Sequence, residues 1–419
     1  MQLYLKRGGA NKMKYVIIGN STAAIGAVEG IRQVDTQGEI TIISKEPHHT
    51  YSRPLISYLL CNKTDEQKMK YRSDDFYNIM HCTTIFGKAV IQIDNSAQQI
   101  TLEDSTVINY DKLLITTGSS PFVPPIDGLE NIDKKFTFMS LDDAKELENA
   151  LTPDTKVLIL GAGLIGLKCA EGILKKVDSI TVVDLADRIL SSILDDDGAQ
   201  LVQSHIEKEN IEFILNTGIE RFLNNTAILS NGMQVDFDVL VLAVGVRPNI
   251  DLIKQINGSV QRGIVVDELL QTSIPNIYAA GDCCESFDIT TNQHRILALL
   301  PNAYMQGECA GINMAGGKKS YDKAIAMNAI SFFNLHIIKA GCYDGEVFIE
   351  EDGAYKKFFT KEGLLKGYIL IGNVERAGIY TSLIREQTPL KDIDFELIRK
   401  KPGLMAFSKA DRIKKLGGV

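Results

Sequence analysis

The segment Gly161-Ala162-Gly163-Leu164-Ile165-Gly166 has glycines at its first, third and sixth positions, between an apolar strand-like run and a helical pattern. The first glycine permits a tight turn. The second lets the backbone approach a pyrophosphate, and the third lets helix and strand pack closely. Phosphates at such a turn meet the exposed N–H groups and positive dipole end of the helix. Asp184 lies 23 residues past Gly161, at the end of the next strand-like run. An acid there binds a ribose 2′-hydroxyl and repels a 2′-phosphate, which favours NADH over NADPH. Arg188, just behind, opposes that preference. A second turn, Gly19-Asn20-Ser21-Thr22-Ala23-Ala24, is degenerate: Ser21 and Ala24 stand where glycines are usual, but both are small. Glu46, 27 residues past Gly19, is its candidate ribose acid, although Ser44 lies closer to the strand end. Two dinucleotide turns in one chain point to FAD and NAD(P)H, one supplying hydride and the other accepting it.

The elements that must position these turns are apolar runs: Tyr15–Ile18, Ile40–Ile43, Leu113–Ile115, Val157–Leu160, Ile180–Val183 and Val239–Val244. Several are nearly continuous Val, Ile and Leu, as expected of strands covered on both faces. Alternation with helical patterns predicts right-handed βαβ units and parallel sheets, an α/β fold. The strand–turn–helix–strand pattern appears twice, at Tyr15–Ser44 and Val157–Asp184, so the repeat is on the scale of a domain. Ser119-Ser120-Pro121 through Pro124-Pro125 leads into a second unit, and Val244–Pro248 leads out of it. After Gly316-Gly317 the character changes. Ala329–Phe333, Glu346–Ile349, Lys356–Phe359 and Leu364–Leu370 read as strands without phosphate loops, predicting a mixed α/β domain. The expected division is an extension at 1–12, a discontinuous first domain at 13–119 and 245–320, a second at 120–244, and a third at 321–419.

The chain has 419 residues, 45% of them apolar and 23% charged, which excludes a disordered, collagen-like or coiled-coil protein. Its net charge of −8 gives no electrostatic reason to expect a nucleic-acid partner. No apolar run is long enough to span a bilayer, and residues 1–12 lack a secretory h-region. Seven scattered cysteines without a C-x-x-C pair fit a reducing, cytoplasmic setting. The six histidines show no metal-ligand spacing, so no metal is predicted.

Further segments fall into a known order. Leu113-Leu114-Ile115-Thr116-Thr117-Gly118-Ser119 resembles the A-T-G strand of two-dinucleotide flavoproteins, and Leu242-Ala243-Val244-Gly245-Val246-Arg247-Pro248-Asn249 resembles its second copy. Thr272–Asp282 closely resembles their T-x-x-P-x-I-Y-A-A-G-D segment, and Ala303–Gly307 through Asn313–Gly316 resembles the following helix. Over about residues 13–320 the chain thus resembles the pyridine nucleotide-disulfide oxidoreductases in the broad sense. The resemblance implies two Rossmann-like domains, for FAD and then NAD, plus a C-terminal domain. It implies that Asp282 binds the FAD ribityl chain and that the helix starting near Pro301-Asn302 faces the flavin. The implied cofactor-binding set is Gly19, Ser21, Ala23, Ala24, Glu46, Arg53, Val90, Thr116, Thr117, Gly118, Gly281 and Asp282 on the FAD side, with Gly245 in the second copy of the A-T-G strand. For NAD it is Gly161, Gly163, Leu164, Ile165, Gly166 and Asp184.

Tyr51-Ser52-Arg53-Pro54 decides the branch. Pro54 stands where disulfide and peroxide branches carry a redox cysteine, and Cys61 is about two helical turns away. Arg-Pro followed by Ser57 resembles NADH:rubredoxin reductases, ferredoxin reductases and the flavin half of nitrite reductases, in which the arginine helps hold FAD. Two departures stand out. Ferredoxin reductases carry lysine where Tyr58 stands, and many relatives carry glutamate where Lys168 stands.

The expected reaction is hydride transfer from NADH to FAD, then single-electron delivery to a small carrier such as rubredoxin or ferredoxin. It needs no acid–base side chain, so no catalytic residue is named. The competing readings are an NADH oxidase or thiol/disulfide reductase, and a flavin-binding sensor or redox-complex subunit. The protein is expected to be a monomer or homodimer. Cys283-Cys284 reads chiefly as a small buried pair and His48-His49 as a solvated loop. From Arg399 to Lys415 there are seven cations and one acid, Asp411. That basic tail is either solvated or a docking patch for an acidic carrier.

Overall fold

The computed structural model describes residues 12–351, 354–407 and 412. Most of the N-terminal extension, and Lys409, Asp411, Lys414 and Lys415 of the basic tail, lie outside the described residues.

Two parallel sheets dominate. In the first, the strands run Ile277–Ala279, Lys112–Ile115, Lys14–Ile18, Glu39–Ser44 and Cys82–Phe86 from edge to edge. In the second the order is Ile211–Ile214, Ser179–Val183, Lys156–Leu160, Val239–Leu242 and Lys135–Thr137. In both, the strand before the glycine turn lies centrally, so the turn opens at the carboxyl edge of the sheet, where doubly wound folds bind ligands. The apolar runs explain that position. Leu158 and Ile159 are wholly buried because helices cover the Ile159 face and the three-stranded antiparallel sheet Ile219–Leu223, Thr226–Leu229 and Gln234–Asp236 covers the Leu158 face.

Glycine is required where the chain turns out of each central strand. Gly19 and Gly161 have φ of +117° and +115°, and a Cβ at Gly161 would collide with the Ala243 carbonyl oxygen. The helix Thr22–Val34 then packs along the helix Leu300–Met314. Their backbones approach so closely that a Cβ at Gly307 would strike the Ala23 carbonyl oxygen.

The two units are joined by a ladder pairing Ser119–Pro121 with Val246–Pro248. Asn249 fastens it: its Nδ2 donates to the Thr117 carbonyl (2.8 Å), and the Thr117 hydroxyl donates to the Asn249 carbonyl (2.8 Å). Beyond residue 326 lies an antiparallel sheet ordered Met327–Phe332, Leu335–Gly341, Leu364–Ile371, Tyr355–Lys361 and Glu346–Glu351, with helix Ala377–Arg385 against it. Leu335–Gly341 is a strand that the sequence reading missed. Its central Ile337 is fully buried, but His336 and Lys339 break the apolar pattern.

Candidate functional site

The first turn assembles residues from four parts of the chain. A Cβ at Gly19 would strike Thr116, whose N–H and hydroxyl both donate to the Ile18 carbonyl (2.8 Å each). Gly281, at φ +86°, lies against Ala23, and its N–H donates to Gln306 Oε1 at 2.6 Å. Gly19, Ala23, Thr116 and Gly281 therefore converge, although up to 262 residues separate them in sequence. Ala24 is buried in the helix behind them, and Ser21 is its N-cap residue. Gly118 and Gly245 face open space at the crossing between units, both at positive φ. Val90, itself half-buried, begins a mostly exposed strand. Just before it, Lys88 N–H donates to the Ser44 carbonyl and Gly87 N–H to the Glu46 carbonyl.

Glu46 and Arg53, expected to hold different parts of a ligand, pair with each other. Tyr51 joins them. Its hydroxyl donates to Glu46 Oε2 (2.7 Å) and accepts from Leu141 N–H (2.9 Å), and Arg53 also reaches the Met139 carbonyl (3.2 Å). Burial pushes the Tyr51 phenol up, so it remains a donor at neutral pH. Asp282 lies within the electrostatic reach of Arg53. Burial pushes its carboxyl up to about 6, against the opposing pull of that guanidinium.

In the second turn, Gly163 is the N-cap residue of helix Leu164–Ile173, and a Cβ there would meet open space. Gly166 lies against the Gly161 carbonyl, and Leu164 and Ile165 pack half-buried on the second core. Asp184 faces this turn: Oδ2 accepts from Ala162 N–H (2.6 Å) and Oδ1 from Ala186 N–H (2.8 Å). Arg188 is already paired, with Asp187 (2.8 Å) and Asp196 (3.2 Å).

Sequence reasoning passed over Tyr51, Asn249 and Gln306. Gln306 is 1% exposed, and its only mark in the sequence is an amide one helical turn past Asn302 on a helix rich in small residues. His48 bonds Asp142 Oδ1 (2.7 Å), and both His49 nitrogens meet backbone carbonyls. All seven cysteines are free thiols. Cys283 and Cys284 are buried, and their Sγ atoms lie against the Ile115 and Gly281 carbonyls.

The residues present fit two dinucleotides. Helices Leu141–Ala150 and Asp196–Ile206 start under side-chain caps from Ser140 and Asp195. Helices Thr22–Val34, Leu164–Ile173 and Leu300–Met314 start without one, although Ser21 has the right type. Their first N–H groups are left for an external acceptor. Thr22 Oγ1 is buried without a partner at one of these starts. The Asp282 carboxylate has no hydrogen bond to the described residues.

Residues 13–307 match the family model for pyridine nucleotide-disulphide oxidoreductases. The chain is 31% identical over 394 residues to the NADH-dependent phenylglyoxylate dehydrogenase subunit epsilon of Aromatoleum evansii, spanning 90% of this chain and 92% of that one. It is 29% identical over 398 residues to a Bacillus subtilis nitrite reductase [NAD(P)H], covering 91% of this chain but only 48% of that protein. A crystal structure of a covalent putidaredoxin reductase–putidaredoxin complex shares the fold, with a TM-score of 0.86 at 20% identity, over 98% of this chain and all of that one. The chain belongs to the pyridine nucleotide-disulphide oxidoreductase family and is an FAD- and NAD(P)H-dependent oxidoreductase.

Proposed function

We propose that the protein passes electrons from NADH through FAD to a small electron-carrier protein of rubredoxin or ferredoxin type. NADH loses a hydride to become NAD⁺. The two electrons leave one at a time for two carrier molecules, and one proton is released. Bound FAD supplies the change from two-electron to one-electron chemistry. The protein's residues bind and orient. The uncapped helix starts at Ser21 and Gly163 offer N–H donors to the two pyrophosphates. Asp282 offers an acceptor for the ribityl hydroxyls, and Arg53 is braced by Glu46 and Tyr51. The start of helix Leu300–Met314 offers its positive end to charge developing on the reduced ring.

The observation that carries this reading is Pro54. It is the middle residue of the short helical segment Arg53–Leu55, at the position where the family resemblance would place a redox thiol. Relatives named rubredoxin-NAD(+) reductase, at 27% identity over 310 residues in Pseudomonas putida, support the carrier class. Asp184 at the NAD turn and the pairing of Arg188 with two acids support NADH over NADPH.

Anaerobic titration of the holoprotein tests it. One equivalent of NADH should bleach the flavin band, and rubredoxin or ferredoxin should restore it in stopped flow. A second equivalent consumed with a charge-transfer band would indicate a redox disulfide and overturn the reading. Asp184→Ala should narrow the preference for NADH by about tenfold or more. An unchanged ratio of kcat/KM for the two nucleotides would remove Asp184 from that role.

A second reading, a subunit of a larger redox complex, is favoured by the match to a named epsilon subunit along 92% of its length. Co-purification with a ferredoxin-like partner would distinguish it from a free-standing reductase.

A further inference from the structure

Lys168 stands on the NAD-turn helix, two residues after Gly166, yet its amine is not turned to solvent. Only 18% of its side chain is exposed. It pairs with Glu171 one helical turn away and donates to the Ser331 carbonyl at 3.2 Å. It also lies 4.6 Å from the centre of the Tyr58 ring, in cation–π range. Each partner belongs to a different unit. Tyr58 lies on the short helix behind Arg53, Glu171 on the NAD-turn helix and Ser331 on the first strand of the C-terminal sheet. The node is closed further: the Tyr58 hydroxyl meets Ser331 Oγ at 3.2 Å, and Glu171 Oε1 accepts from Phe333 N–H at 3.1 Å.

A partly buried lysine and a buried glutamate at a junction of three units are costly to desolvate. An apolar pair would fill the same space. What the charged pair adds is direction, because an amine with fixed acceptors tolerates one relative placement of its neighbours. The helix carrying Lys168 begins at the turn that receives the NAD pyrophosphate, and the helix carrying Tyr58 follows Arg53 on the FAD side. We infer that Lys168, held by Glu171 and the Ser331 carbonyl against the Tyr58 ring, is a positioning residue that fixes the NAD-turn helix against the flavin side and the C-terminal sheet. It thereby sets how a bound nicotinamide meets the flavin. The inference deepens the proposed function and concerns only its NADH half.

The test compares three variants with ferricyanide as the oxidant, so its outcome does not depend on the natural carrier. Lys168→Met should slow flavin reduction by about tenfold or more at saturating NADH, because misplacement of reacting groups by fractions of an ångström is expensive. FAD content should stay at wild type. Amide hydrogen exchange at Phe333 should quicken. K168M/E171Q keeps an acceptor for Phe333 N–H and leaves no uncompensated carboxylate, so it separates folding loss from positioning. It should fold as the wild type does and still reduce flavin slowly. The reversed pair K168E/E171K turns a carboxylate to the Ser331 carbonyl and an ammonium to Phe333 N–H, so it should stay as slow as Lys168→Met, and a wild-type rate in it would overturn the inference. Wild-type flavin reduction in K168M/E171Q, or a fall in melting temperature with no kinetic effect, would overturn the inference. Normal NADH kinetics with no reduction of rubredoxin or ferredoxin would sink only the proposed carrier.

Discussion

The environment of Asp282 moves it well away from what its type alone would give. A carboxylate in water titrates near 3.8, whereas burial raises Asp282 to about 6 although Arg53 favours the charged form. Between those values the folded FAD-free chain keeps a proton that the unfolded chain gives up. The contribution of this group to stability is therefore full below about pH 4 and is lost as pH rises through about 6. The whole change amounts to about 3 kcal/mol. Denaturation of FAD-free protein between pH 4 and 7 should show this fall, and Asp282→Asn should flatten it. An identical slope in the variant would mean that other groups govern the pH response. Asp282→Ala should also lower the flavin-to-protein ratio of purified protein. Full flavin content would remove Asp282 from the FAD site.

Helix packing fixes where the first turn sits. Helices Thr22–Val34 and Leu300–Met314 touch backbone to backbone, and Gly307 leaves no room for a side chain. Gly307→Val should force the helices apart. It should cost about 1–3 kcal/mol or more and reduce FAD retention, because the same helix carries Gln306, which holds Gly281. Urea denaturation measures the first effect and flavin absorbance the second. Stability within about 0.5 kcal/mol of wild type would show that the interface can give way. At this scale the repeated strand–turn–helix was legible because each half is local: a run of Val and Ile, a glycine and an amphipathic stretch. The strand Leu335–Gly341 was not, since its alternation is broken by Lys339. That side chain is buried on the inner face, and its amine is pushed down to about 8 by burial and by Arg295.

Across the whole molecule, charge is distributed unevenly. The chain carries −8 overall while its last segment is basic. The structure divides that segment. Arg399 pairs with Glu350 (3.0 Å) and lies 4.5 Å from the Phe348 ring centre, so it belongs to the C-terminal domain. Lys400 pairs with Glu396. A truncation that tests docking should therefore begin after Phe407, removing four cations and Asp411. Carrier reduction by that variant should slow and lose salt dependence, with NADH–ferricyanide turnover unchanged. Equal salt dependence in both forms would place docking elsewhere.

The amino-acid sequence alone determined the two glycine turns and the parallel sheets behind them. Both are written in neighbouring residues: glycines where φ must be positive, and β-branched runs where a strand is covered on both faces. Only the tertiary structure decided that Glu46 pairs with Arg53 beside Tyr51, that Gln306 receives Gly281, and that Lys168 ties three units together. Those pairings join residues as much as 163 positions apart. A side chain's type states which bonds it can form, and the packing of the elements selects which partner comes within reach.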